Sequence, residues 1–335
     1  MSPVFDSASI APYPWLLADL GGSNARFAWV AGPGQELSAV RTLAVADHAS
    51  LEDAIRAYLR GLGPVEAPRS AAIAVATAVT GDAVVFRNNP WSFSQQQLQA
   101  VLGLRQLCVL NDFEALALSL PRLRAAQWRP LGEGVPRFDV PVAVIGPGTG
   151  LGVAGLMPVP GGWLPVAGEG GHATLAPADD YESELLRVVR REFPHVSGER
   201  LLSGLGLPTL YAAVAAVEGQ RAAVGVDAPW IVERGLGEGA EESDAVASRT
   251  LEVFCAMLGG FAGSVALSFG ARGGVFIGGG IVPRLGARLD RSAFRARFEA
   301  KGRCQGYLAA IPTAVVTDGL AALDGAAQAL SHVQN

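Results

Sequence analysis

Hydrophobic positions along this chain fall into short unbroken runs that end in glycine, and the first run sets the plan. Trp15 to Leu20 reads as a buried strand, Gly21-Gly22-Ser23-Asn24 as a turn, and Ala25 to Ala31 as a second strand, so the glycines open a hairpin. A third strand is predicted over Leu37 to Val45, and the spacing from Ser50 to Arg60 predicts a helix capped by Ser50. Ala71 to Val75 and Leu107 to Leu110 are short apolar strands, and Phe113 to Leu120 is an apolar helix.

The plan recurs. Val142 to Ile145 is a strand, Gly146-Pro-Gly-Thr-Gly150 a turn, Leu151 to Val159 a strand and Trp163 to Val166 another, which suggests a weak internal duplication. Farther on, Gly274 to Ile277 predicts a strand, Gly278-Gly-Gly280 a turn, and Ile281 to Leu285 the start of a helix with Pro283 in its first turn. Arg129 to Pro141 and Val224 to Glu242 read as loops, being rich in Gly, Pro and charge, and the segment after Thr317 has helical spacing. Two related α/β halves with a cleft between them is the expected architecture.

Composition narrows the class. A length of 335 residues, half of them hydrophobic and 17% charged, suits two globular domains and excludes a mainly disordered chain. Net charge is −5 with the arginines scattered, so nucleic acid is not an expected partner. Cys108, Cys255 and Cys304 lie apart, without zinc spacing, and read as reduced core residues. The N-terminus lacks the pattern of a secretory signal, which points to the cytoplasm. Val253 to Gly270 carries no charge, but its glycines and serines favour a core helix over a membrane span, and no membrane association is expected. The GxxxG spacing of Gly259 and Gly263 lets another backbone approach closely.

Glycine turns can cradle phosphates because no Cβ blocks the backbone N–H groups. A Walker loop is excluded: the single lysine, Lys301, lies far from any such motif. A dinucleotide fold wants its glycines to run into a helix, whereas both turns here run into strands. Asp19, just ahead of the first turn, reads either as a strand-end residue or as an acid that holds Mg²⁺ directly or through water. Asp112 opens an apolar helix and by position alone reads as its N-cap. Glu169 and His172 flank two glycines, which excludes a zinc helix and turns both polar tips toward one ligand, although a plain surface loop has the same look.

Six motifs in order resemble the bacterial glucokinase family of the actin, Hsp70 and hexokinase superfamily. They are Asp19-Leu-Gly-Gly-Ser-Asn-Ala-Arg26, Asn88-Asn-Pro-Trp-Ser-Phe-Ser94, Asn111-Asp-Phe113, Gly146-Pro-Gly-Thr-Gly-Leu-Gly152, Gly168-Glu-Gly-Gly-His172 and the run from Gly273 to Arg284. The resemblance implies two actin-like (ribonuclease H-like) α/β domains flanking a central cleft, a small one of residues 1–122 plus 317–335 and a large one of residues 123–316. It implies transfer of the γ-phosphoryl group of ATP to the 6-hydroxyl of glucose, with Asp112 as general base, Mg²⁺ as cofactor and a homodimer as the usual assembly.

On the sugar it implies Asn111, Asp112, Glu169, His172 and Glu199, the last of which otherwise reads as a helix first-turn acid, with Asn88 a weaker candidate. On the nucleotide it implies Gly21, Gly22, Ser23 and Asn24 from the first turn, Thr149 from the second, and Gly279 and Gly280 near adenosine. Arg26 is left out of that set, because alternation along its strand can aim it away from the turn. Trp91, close to Asn88, is expected to sense cleft closure if it is not simply a core residue. Ser23 stands where the family more often has Thr, and Pro147 replaces a small residue. The sister ROK sugar kinases carry a cysteine-rich zinc motif absent here, which weakens an N-acylhexosamine kinase reading. A non-catalytic sugar-binding regulator and a nicotinamide-dependent dehydrogenase are the remaining alternatives; the first lacks room for a helix-turn-helix ahead of the first strand, and the second lacks an acidic ribose residue.

Overall fold

The computed structural model describes residues 10–86, 89–237 and 243–331. By its internal contacts the chain divides into two compact units, one of residues 1–123, 159–167 and 318–335, the other of residues 124–158 and 168–317.

The first sheet is built from β1 (Trp15–Leu20), β2 (Asn24–Val30), β3 (Ser38–Ala44), β4 (Ser70–Val75) and, after the small hairpin of β5 (Ala83–Val85) and β6 (Ser92–Ser94), β7 (Gln106–Asn111). Its order is β3-β2-β1-β4-β7. β1 pairs antiparallel with β2 and parallel with β4, and β4 pairs parallel with β7. The run Trp15–Leu20 is apolar throughout because β1 is covered on both faces. Leu16, Ala18 and Leu20 pack with Phe27, Ile73, Val75 and Trp91. Trp15 and Leu17 pack on the other side with Leu323, Ala326 and Leu330 of the helix Ala321–Ser331. That helix also lies against the helix Asp112–Ser119. The approach is so close that a Cβ on Gly325 would overlap the Ala115 carbonyl.

The second sheet comprises β8 (Trp128–Pro130), β9 (Val142–Pro147), β10 (Leu151–Val159), β11 (Gly162–Gly168), β12 (Gly274–Ile277) and β13 (Thr313–Val316), in the order β11-β10-β9-β12-β13-β8. β9 pairs antiparallel with β10 and parallel with β12, which pairs parallel with β13. A strand with an antiparallel partner on one side and two successive parallel strands on the other, β9 here and β1 in the first sheet, repeats the plan, so the duplication visible as a repeated strand and glycine turn extends to the sheet order.

Helix Ala245–Phe269 is long and apolar enough to cross a membrane, yet 72% of its apolar window is buried, with Phe254, Leu258 and Ala262 in the core of the second unit. A Cβ on Gly259 or Gly263 would collide with the carbonyls of Phe294 and Phe298, so this spacing seats the helix Phe294–Glu299. Gly259→Ala is expected to destabilise the protein by about 1–3 kcal/mol through overpacking; a thermal melt indistinguishable from wild type would contradict this helix contact.

Two expected loops contain structure. Arg129 and Pro130 belong to β8, and Ala228–Leu236 is a helix whose N-cap Asp227 accepts a hydrogen bond from the Trp230 N–H. Ser50 caps the helix Leu51–Leu62 as its spacing predicts, accepting from the Asp53 N–H at 3.1 Å.

Candidate active site

In the first unit the chemistry-bearing residues stand at the carboxyl ends of parallel strands, where open α/β sheets bind their ligands. β1 delivers Asp19 to the first glycine turn. The turn is fixed by the Gly21 N–H, which donates to the Asn24 carbonyl at 3.0 Å, and by the Val45 N–H, which donates to the Ser23 carbonyl at 2.9 Å. The Gly21 N–H is thus engaged within the turn, and Ser23 and Asn24 are its exposed polar residues. Asp19 is held above the ordinary carboxylate range by burial, an effect that the positive charge of Arg26 opposes.

Strand β7 ends at Asn111, and the capping role expected of Asp112 falls to this residue instead. The Asn111 side chain accepts from the Phe113 N–H at 2.9 Å, while Glu114 accepts from the Asn111 N–H at 2.8 Å, a reciprocal capping box. The Asn111 amide also donates to the carbonyls of Val75 and Thr77 at 3.4 and 3.2 Å, tying β7 to the end of β4. Asp112 is thus the first residue inside the helix, fixed in place by a side chain that does the capping for it. Its own carboxylate accepts from the Phe113 N–H at 3.0 Å.

Asn88 lies outside the described residues. Its neighbour Asn89, not singled out by sequence, is buried, donates to the Gly21 carbonyl at 2.9 Å and accepts from the Trp91 N–H at 2.9 Å, so it braces the glycine turn. Trp91 is a core residue, 3% exposed, with its indole N–H donating to the His48 carbonyl.

In the second unit, Glu169, His172 and Glu199 come together. Backbone bonds from the Leu175 N–H to the Val196 carbonyl and from the Gly198 N–H to the Ala173 carbonyl, both 3.0 Å, bring the end of the Glu169–His172 turn beside the short helix Gly198–Leu201. His172 Nε2 lies 3.5 Å from Glu199 Oε1 and 3.7 Å from Glu169 Oε2. Glu199 does not use its carboxylate on its own helix: Oε2 accepts from the Leu151 N–H at 2.9 Å, at the point where the second glycine turn becomes β10. Two glycines make this possible. A Cβ on Gly150 would strike the Glu199 carboxylate, and one on Gly171 would strike the Leu151 carbonyl. Two carboxylates and an imidazole, all partly exposed, offer the mixture of acceptors and donors that vicinal hydroxyls require.

Thr149 sits in the second turn, clamped from one side by the Gly204 and Leu205 N–H groups, which donate to the carbonyls of Gly148 and Thr149 at 2.7 and 3.3 Å. From the other side the Gly278–Gly280 turn closes on it: the Ile281 N–H donates to the Pro147 carbonyl at 3.2 Å. Gly279 has φ +80°, and a Cβ there would overlap that same carbonyl. Thr149, Gly279 and Gly280 accordingly share one edge of the second sheet, at the ends of β9 and β12.

No cluster of three or more His, Cys, Asp or Glu side chains able to hold a metal occurs among the described residues. Asp19, 23% exposed beside the first turn, is a single carboxylate of the kind Mg²⁺ uses when phosphate oxygens and water complete its shell.

Two mixed sheets with glycine turns at their strand ends match the actin-like architecture found among sugar kinases. A glucokinase from an Antarctic psychrotroph superposes with TM-score 0.84 at 38% identity, covering 95% of this chain and 98% of that one. The glucokinase family model matches residues 16–333, and the glucokinase of Aromatoleum aromaticum is 49% identical over 323 residues, 96% of this chain and 95% of its own. The chain belongs to the glucokinase family, a family of ATP-dependent sugar kinases. It is also 48% identical over 304 residues to the bifunctional protein glk of Burkholderia pseudomallei, and it spans about half (46%) of the length of that relative.

Proposed function

We propose that this protein transfers the γ-phosphoryl group of ATP to the 6-hydroxyl of D-glucose, giving glucose 6-phosphate and ADP. The observation that carries the reading is the convergence of Glu169, His172 and Glu199, three sugar-matching groups on a turn that the Leu151 carbonyl leaves room for only with glycine at Gly171, the Glu199 carboxylate lying over Gly150.

In this reading Glu169, His172 and Glu199 accept from and donate to the ring hydroxyls, and a sugar lacking one of those hydroxyls leaves a protein group unpaired. Asn111 has most of its capacity committed to Val75, Thr77 and Phe113, so its main service is to set the position of Asp112, with one carbonyl lone pair for the sugar. Asp112 takes the 6-hydroxyl proton as the O6–P bond forms and the bond from phosphorus to the ADP oxygen breaks; the departing electron pair stays on ADP. Ser23, Asn24 and Thr149 hold phosphates, with Gly22 giving the first turn its close backbone approach and Gly279 and Gly280 lying along the nucleoside. Asp19 holds Mg²⁺, which when bound supplies positive charge to the β- and γ-phosphates. Residues 1–122 plus 317–335 and residues 123–316 act as small and large domains of a cytoplasmic homodimer.

A coupled assay of ADP release across glucose, mannose, fructose, glucosamine and N-acetylglucosamine tests the proposal. Glucose is the expected best substrate and N-acetylglucosamine a poor one. Equal or higher kcat/KM for N-acetylglucosamine, or sugar binding by calorimetry without ADP release, overturns it.

A further inference from the structure

The hairpin that opens the chain carries one cation, and it faces the acid at the glycine turn. In the antiparallel register of β1 and β2, Asp19 pairs directly with Arg26, so both side chains leave the same face of the sheet at its open end. Alternation thus aims Arg26 at Asp19, contrary to the expectation from sequence. Arg26 Nη1 lies 3.7 Å from Asp19 Oδ2, and the same nitrogen donates to the Gly319 carbonyl at 2.5 Å. Gly319 belongs to the connection just ahead of the helix Ala321–Ser331, which is locked into the core of this unit by Leu323, Ala326 and Leu330. The guanidinium is therefore anchored at a fixed backbone oxygen, with its charge beside the carboxylate. At 3.7 Å this is an ion pair, not a hydrogen bond, and Arg26 leaves the carboxylate lone pairs open to another partner.

We infer that Arg26 is a positioning residue for the divalent cation, holding the Asp19 carboxylate at the glycine turn from its anchor on Gly319. This rests on the reading of Asp19 as the metal carboxylate. The physical case is that of an outer partner orienting a metal-binding acid: a lone carboxylate at a strand end rotates about its side-chain torsions, and a fixed charge on one side selects the arrangement that faces the turn. Loss of such outer partners weakens metal binding by about 10–100-fold in comparable sites.

The test uses the full chain with Mn²⁺ and the non-hydrolysable analogue AMPPNP, following bound Mn²⁺ by electron paramagnetic resonance. Asp19→Asn is expected to abolish the protein-dependent part of Mn²⁺ binding in that complex. Arg26→Gln, which loses the charge, should weaken it about tenfold, and Arg26→Lys should recover most of it. Glucose affinity by calorimetry should stay at the wild-type value in all three, which a general loss of structure would not allow. Unchanged Mn²⁺ binding in Arg26→Gln alongside its loss in Asp19→Asn overturns the role of Arg26 alone. Unchanged binding in Asp19→Asn overturns the metal reading and the positioning role with it. Tighter Mn²⁺ binding in Arg26→Gln also overturns the proposal, since it would make Arg26 a competitor of the metal.

Discussion

Replacing Asp112 with Asn is expected to lower kcat by about a hundredfold or more while glucose still binds, the size of a general-base contribution. The helix that Asp112 opens does not rely on it for capping: Asn111 and Glu114 close the reciprocal box, so the substitution leaves the helix start intact. The amide of Asn can still accept from the Phe113 N–H as the carboxylate does at 3.0 Å. What it cannot do is the step proposed for Asp112, taking a proton from the 6-hydroxyl. The expected pattern is therefore a fall in kcat with little change in melting temperature or in glucose affinity by calorimetry, the signature of an interaction made only in the transition state. A variant with near-normal turnover would assign Asp112 to the architecture of the helix, and one that lost glucose binding in proportion to kcat would make it a sugar ligand before all else.

Gly171→Ala is expected to do damage by another route. The added methyl would press on the Leu151 carbonyl, a backbone atom at the first residue of β10, and Leu151 also donates the N–H that Glu199 accepts. Because the obstacle is backbone, relief requires moving the Glu169–His172 turn or the strand itself. Overpacking of this kind costs about 1–3 kcal/mol, and either shift separates His172 from Glu199, now 3.5 Å apart. Glucose affinity should fall by about tenfold or more, equivalent to about 1.4 kcal/mol or more, with a lowered melting temperature. A variant that binds glucose as wild type does would show that the turn does not need its present position.

Much of this was legible in sequence because it is local. Runs such as Trp15–Leu20 declare a strand buried on both faces, and Ser50 and Pro283 mark helix starts by their own chemistry. The turn bearing Glu169 and His172 could be read as two polar tips around glycines. What brings Glu199 to them, a pairing of Ala173–Leu175 with Val196–Gly198, is a long-range backbone contact with no mark in composition. Helix Ala228–Leu236 escaped because the segment around it is rich in glycine and charge, although Asp227 and Pro229 are start signals. The choice between Asn111 and Asp112 as cap depended on side-chain torsions. Asn89 and Arg26 work through partners distant in sequence, Gly21 and Gly319, that no local spacing announces.

The contact between Gly325 and Ala115 bears on how the protein is made. The helix that begins at Asp112 is seated by a helix translated only after the whole of the second unit. Until that later helix docks, one face of the first sheet and the flank of the Asp112 helix are uncovered in the nascent chain. Domains generally fold from the N-terminus as they emerge from the ribosome, but here the first unit is barred from finishing first. A ribosome-bound chain halted before Ala321 should hold its second unit folded and its first unit open to protease, and phosphoryl transfer should begin only when the final helix is released.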